Sequence, residues 1–181
     1  VAGVAGTVYI LTNLKQSHWY ARLTNWVDPF VDSQGAGYQL SQSILALGNG
    51  GFFGRGLGRS VSKNLYLPEP QNDFILAIIG EELGFFGIFL LMSLYLLLIY
   101  EGFKVAANAK DKFGFYLASG ITIMLALQVI INVAVVTASM PTTGITLPFV
   151  SYGGTSVIVF LASMGILLNI SHSSNIESVN R

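Results

Sequence analysis

Four of the nine acidic residues fall in one stretch, Leu67 to Gly84, which reads Leu-Pro-Glu-Pro-Gln-Asn-Asp-Phe-Ile-Leu-Ala-Ile-Ile-Gly-Glu-Glu-Leu-Gly. Glu69 and Asp73 precede a long apolar run, and Glu81 and Glu82 lie inside it. A charge at the centre of a membrane helix costs about 2.5–3.5 kcal/mol on insertion scales, so such a side chain faces a polar cavity or a partner. If a helix begins near Asp73, then Asp73, Ala77, Gly80 and Glu81 share a face. An aspartate so placed can act on a substrate at the membrane surface, with Glu81 lining a cavity about two turns below. The plainer alternative is that both glutamates pair with basic groups on other helices.

A second candidate lies upstream. From Gly48 to Gly58 six of eleven residues are glycine, interleaved with Arg55 and followed by Arg59. Such a run lets backbone come very close to something. It matches neither a P-loop nor a full dinucleotide fingerprint. Its amides, with the two arginines, can cradle a pyrophosphate; the simpler alternative is a flexible turn with two solvated cations. His18 and His172 are far apart and unpatterned, and read as ordinary polar residues.

These groups sit in a chain made for lipid. Of 181 residues 52% are hydrophobic and only 10% charged, against about 25% in soluble domains, and the mean hydropathy is +0.63. Nine basic and nine acidic residues cancel, which argues against nucleic acid as a partner. With no cysteine, disulfides and thiolate metal sites are excluded. No cofactor motif is evident, and the scattered carboxylates leave room only for a divalent cation.

The elements that must position the candidates follow in order. Residues 1–14 read as the end of a membrane helix, which suggests a fragment of a larger protein. Residues 15–73 form a long connector: Trp19, Tyr20 and Trp26 suit an interfacial belt, and Tyr38 to Leu47 a weakly amphipathic helix on the bilayer surface. Pro68 and Pro70 hold the approach to the apolar run extended, and Asn72 and Asp73 suit a helix cap. Apolar spans are predicted at 74–100, 113–140 and 155–171, joined by a loop at 101–112 and an uncharged one at 141–154, with a tail at 172–181. Gly80 and Gly84 have the spacing that admits another helix, while Gln128 and Asn132 share a face and suit hydrogen bonds to a neighbouring helix. The basic residues lean weakly towards a cytoplasmic tail and an external 15–73 connector.

Taken together these motifs have a family likeness. The Leu67–Gly84 stretch resembles the signature after the large external loop of SEDS proteins (shape, elongation, division, sporulation). Met140-Pro-Thr-Thr-Gly-Ile-Thr-Leu-Pro-Phe-Val-Ser-Tyr-Gly-Gly-Thr-Ser is similar to that family's second signature, and Asp28-Pro29, Gly37-Tyr38-Gln39 and the glycine–arginine run match in order. Gly165 to Ser171 and the spacing of Lys63 from Tyr66-Leu67-Pro68 are closer to the cell-division (FtsW-type) branch than to the elongation (RodA-type) branch. The resemblance implies an all-α polytopic membrane protein, here the C-terminal part of a ten-helix bundle with a large extracytoplasmic loop, in the bacterial plasma membrane and at the division septum. It implies a peptidoglycan glycosyltransferase that polymerises lipid II beside a class B penicillin-binding transpeptidase and other divisome proteins.

On that resemblance Asp73 falls where the family's essential external-loop aspartate stands, proposed as general base on the acceptor sugar hydroxyl. Arg55, Arg59 and Lys63 suit charge stabilisation of a leaving pyrophosphate by their chemistry. Glu69, Glu81 and Glu82 match signature positions without a clear role. The second signature either lines the lipid cavity or packs as a re-entrant loop. Two other functions stay open: a lipid II flippase, or a non-catalytic scaffold for the transpeptidase.

Overall fold

The computed structural model describes residues 22, 26–30, 37–60 and 73–179. The expected helix end at 1–14 lies outside them, as do Lys63, Glu69 and Asn72. Among the described residues four helices are placed from end to end: α1 (Tyr38–Gly50), α2 (Ile75–Ala107), α3 (Lys112–Val136) and α4 (Gly154–Val179). There is no strand among the described residues. The last three are long and apolar enough to cross a membrane. Their outer faces carry exposed Phe89, Leu94, Leu97, Leu127 and Leu161. A helix apolar all round belongs in lipid or against other helices. The chain is an all-helical polytopic membrane protein.

The helix ends differ from those expected. α2 continues through Glu101 to Ala107 because nothing there breaks it: Lys104 Nζ pairs with Glu101 Oε1 at 3.1 Å, one turn apart. Asn108 closes it, its Nδ2 donating to the Lys104 carbonyl at 2.9 Å. Asp111 then caps α3 by accepting from the Gly114 amide at 3.3 Å. At the far end α3 stops at Val136, and the amides of Ser139 and Met140 both fold back on the Ala134 carbonyl. α4 runs on beyond Ser171 into the stretch read as tail.

α2 packs against both α1 and α3. The main core joins Leu40 and Ala46 of α1, Phe74, Leu76, Ala77 and Tyr95 of the α2 segment, Val129, Val135 and Val136 of α3, and Leu147 beyond it. A smaller cluster, Ala106, Ala118 and Leu167, ties α2, α3 and α4. The face of α1 that docks carries Leu40, Ser41, Ser43, Ala46 and Gly50, all buried, while Leu45 is exposed. Small side chains let α1 approach closely, and Ser43 Oγ donates to the Val136 carbonyl at 2.9 Å. Trp26 also departs from a simple belt role: its Nε1 donates to the Ala138 carbonyl at 2.8 Å, beside the end of α3.

Candidate active site

α2 is broken. Gly84 sits at φ 69°, ψ −165° inside the helix, a conformation open to glycine and strained for other residues. In an unbroken helix the amides of Phe85 and Phe86 would donate to the carbonyls of Glu81 and Glu82. Here the loop after α1 takes both sides of the gap. The amides of Arg55 and Gly56 donate to the Glu81 and Glu82 carbonyls at 2.9 and 3.0 Å. The amides of Phe85 and Phe86 donate to Gly51 and Phe52 at 2.9 and 3.2 Å. Irregular backbone is tolerated at membrane depth only when its polar groups are met in this way.

The splice explains the glycines. A Cβ on Gly54 would lie 2.1 Å from the Glu82 carbonyl oxygen, and one on Gly84 2.3 Å from the Gly54 nitrogen. One on Gly50 would fall 1.9 Å from the Gly80 oxygen, so the Gly80/Gly84 spacing admits the end of α1 and the loop after it. The expected amide cradle for a pyrophosphate is therefore not formed by residues 54–56, whose N–H groups are bonded to Gly50, Glu81 and Glu82 carbonyls. What the loop offers a ligand is its two guanidinium groups, on exposed Arg55 and Arg59.

The break also relocates the glutamates. Beyond it, α2 still has roughly 23 residues, about 34 Å at helical rise, enough to span the ~30 Å hydrocarbon core alone. Glu81 and Glu82 stand in the short piece of α2 on the N-terminal side of the break at Gly84. Glu81 is 0% exposed; Ser60 Oγ donates to its Oε2 at 2.6 Å and Arg55 Nη1 lies 3.9 Å from its Oε1. Its basic partner is thus on this chain's own loop. Glu82 Oε1 is buried and has no hydrogen-bond partner among the described residues.

Asp73 lies in the turn before α2. It does not cap the helix: Phe74 is the cap residue and makes no side-chain cap bond, being drawn into the core. The second signature packs beside it. Asn132 Nδ2 donates to the Asp73 carbonyl at 3.0 Å and to the Ile145 carbonyl at 2.8 Å, while Gln128 Nε2 donates to Thr146 at 3.1 Å. The two amides of α3 therefore hold a loop, where a neighbouring helix was expected. A Cβ on Gly144 would lie 3.6 Å from Asp73 Oδ2, so the carboxylate faces the loop across a position with no side chain.

The second signature both packs and lines. Leu147 and Pro148 are fully buried; Ser151 Oγ accepts from the Leu147 amide at 2.7 Å, and Tyr95 donates its hydroxyl to the Pro148 carbonyl. Phe149 holds a left-handed φ of 64° and stacks edge-on against Phe160. Gly144, Ile145 and Thr146 instead form one wall of an open groove of about 640 Å³, with Leu127, Gln128 and Ser156 among the others. Arg22 Nη1 reaches the same loop, donating to the Thr142 carbonyl at 3.0 Å. Neither Arg22 nor Tyr95 was singled out in the sequence, since partners 120 and 53 residues away leave no local signal.

Asp73 and the second signature are thus brought together, as are Arg55, Glu81 and Glu82 at the break. Lys63 and Glu69 lie outside the described residues. Among those described, no three His, Asp or Glu side chains converge as metal ligands would.

A family model described as a cell cycle protein, covering FtsW, RodA and SpoVE, matches residues 1–176. The chain is 53% identical over 150 residues to a probable peptidoglycan glycosyltransferase FtsW of Geobacter sp. strain M18, covering 83% of this chain and 41% of that protein. It is 47% identical over 172 residues to the stage V sporulation protein E of Bacillus subtilis strain 168, covering 95% of this chain and 46% of that one. Among solved structures it is similar to a chain of a peptidoglycan synthase complex described as coordinating polymerization and crosslinking. The TM-score there is 0.69 at 28% identity, over 94% of this chain and 48% of the other. The chain spans about half the length of the curated relatives it matches.

Proposed function

Because the chain belongs to the SEDS family of FtsW, RodA and SpoVE, we propose that it is part of a peptidoglycan glycosyltransferase that polymerises lipid II into glycan strands during cell division. The observation that carries this is the placement of Asp73. Its carboxylate faces the second-signature loop, whose Gly144–Thr146 stretch forms the wall of an open groove beside α3. A general base needs hydrogen-bond access to the proton it removes, and a lipid-linked substrate needs an opening towards the bilayer.

In the reaction, the acceptor sugar hydroxyl gives its proton to the Asp73 carboxylate. Its oxygen forms a bond to the donor's anomeric carbon as the bond from that carbon to undecaprenyl pyrophosphate breaks. Arg55, Arg59 and Lys63 stabilise the charge on the departing pyrophosphate. Buried Glu81 holds one of these cations near the break, at 3.9 Å. A class B penicillin-binding transpeptidase is the proposed partner, consistent with the synthase complex of similar fold; other divisome proteins and a septal location follow from the division branch.

The broken α2 gives a second reading some weight, because discontinuous helices are common in transporters. In transporters the freed carbonyls coordinate substrate or ions, whereas those of Glu81 and Glu82 accept loop amides. This favours the polymerase over a lipid II flippase.

The test is polymerisation by the full-length protein, reconstituted with purified lipid II and its transpeptidase, against Asp73→Asn. Loss of polymer at normal expression and partner binding supports the base assignment. Undiminished polymer from Asp73→Asn would sink it. A parent that makes no polymer in an intact complex would move the reading to transport or scaffolding.

A further inference from the structure

One buried amide joins the three segments that meet at Asp73. Asn132 is 1% exposed, in the middle of the last turns of α3. Both hydrogens of its amide are in use, one towards the Asp73 carbonyl and one towards the Ile145 carbonyl. Because both acceptors are main-chain oxygens, the nitrogen must face them, and the amide orientation is fixed. Its own Oδ1 is buried with no partner among the described residues. The residue is thus held for its donors, at the cost of leaving an acceptor unmet.

The two carbonyls it joins belong to the residue proposed as base and to the loop that this base faces. Ile145 is the neighbour of Gly144, the glycine opposite Asp73 Oδ2, and it lines the groove. Gln128, one turn away, lines the groove itself and holds Thr146. Asn132 is not part of the groove wall; it acts from behind.

We infer that Asn132 is a positioning residue: its amide sets the spacing between the Asp73 turn and the Gly144–Thr146 wall, and so where the carboxylate stands relative to a substrate in the groove. The inference rests on the proposed role of Asp73 as base. Its chemical content is that two carbonyl oxygens, which repel, are held near one another by a shared donor. An isosteric carboxylate would put oxygen against oxygen, and an aliphatic residue would leave both carbonyls unbonded. A misplacement of about 1 Å at a reacting group costs on the order of 10²-fold in rate.

The experiment uses the full-length protein with its transpeptidase and lipid II. Asn132→Asp and Asn132→Leu are each placed in the parental and Asp73→Asn backgrounds. In the parental background kcat falls on the order of 10²-fold while KM stays within about twofold, the pattern of a lost transition-state interaction. In the Asp73→Asn background, single-turnover rates show no further loss, because the two residues act as one unit. Equal fractional losses in both backgrounds would show a merely structural role and overturn the inference, as would a parental kcat in both variants. A readout independent of turnover is amide hydrogen exchange, expected to rise at residues 74–77 and 144–147 and not along α4. Unchanged exchange there overturns the inference whatever the kinetics show. If Asp73→Asn alone retains the parental rate, the base assignment fails, while exchange still decides whether Asn132 ties the two segments.

Discussion

The break in α2 and the second-signature loop are both irregular backbone in a membrane protein, yet their polar groups are met in opposite ways. At the break, main chain meets main chain: four loop-to-helix bonds replace the lost helical ones, with glycine at Gly50, Gly54, Gly80 and Gly84 to allow the approach. In the loop, side chains do the work, from Gln128, Asn132, Ser151, Tyr95 and Arg22. A backbone splice has no side-chain donor to lose and fails when a side chain is added. A side-chain-held loop tolerates added volume better and loses its bonds one at a time.

Three substitutions sharpen or break this contrast, each read by the thermal midpoint of the full-length protein in detergent. Gly84→Val should be the most damaging, since it places a β-branched residue at φ 69° and drives a Cβ into the Gly54 backbone. The loss expected is more than about 4 kcal/mol, seen as failure to recover folded protein. Normal yield and midpoint would mean that the splice is not the constraint its distances imply. Ser60→Ala comes next. It removes the 2.6 Å bond to fully buried Glu81, and a hydrogen bond to a carboxylate is worth about 1.5–3 kcal/mol.

Tyr95→Phe should be mildest, at about 0.6–2 kcal/mol, because it deletes one of several donors to the loop and keeps the buried ring. If it matched Gly84→Val in severity, the loop would have to be as all-or-none as the splice, and the contrast would fall. If it matched Ser60→Ala, the burial of the acceptor would matter more than its charge.

How much of this was legible depends on the range of the signal. The three spans were readable from apolar composition, and Asp73 from its place at the mouth of one of them. The glycine run announced a close approach, but its partner lies about thirty residues on, at Glu81 to Phe86, and nothing local says which backbone it meets. Gln128 and Asn132 were visible as polar residues sharing a face, whereas their acceptors, the carbonyls of residues 73, 145 and 146, carry no side-chain signature at all. Any residue has a carbonyl, so such partners are invisible in a string of letters.

Hydropathy and residue type suffice to place this chain in a membrane, to locate the three apolar spans, and to name the carboxylates and guanidinium groups available for chemistry. Both are properties of each segment alone. The break of α2 at Gly84, its closure by the glycine loop, and the approach of Asp73 to Gly144 beside the Asn132 tether emerge from the folded chain. Each is a pairing between distant main-chain groups, chosen by which segments can pack closely enough to satisfy one another away from water.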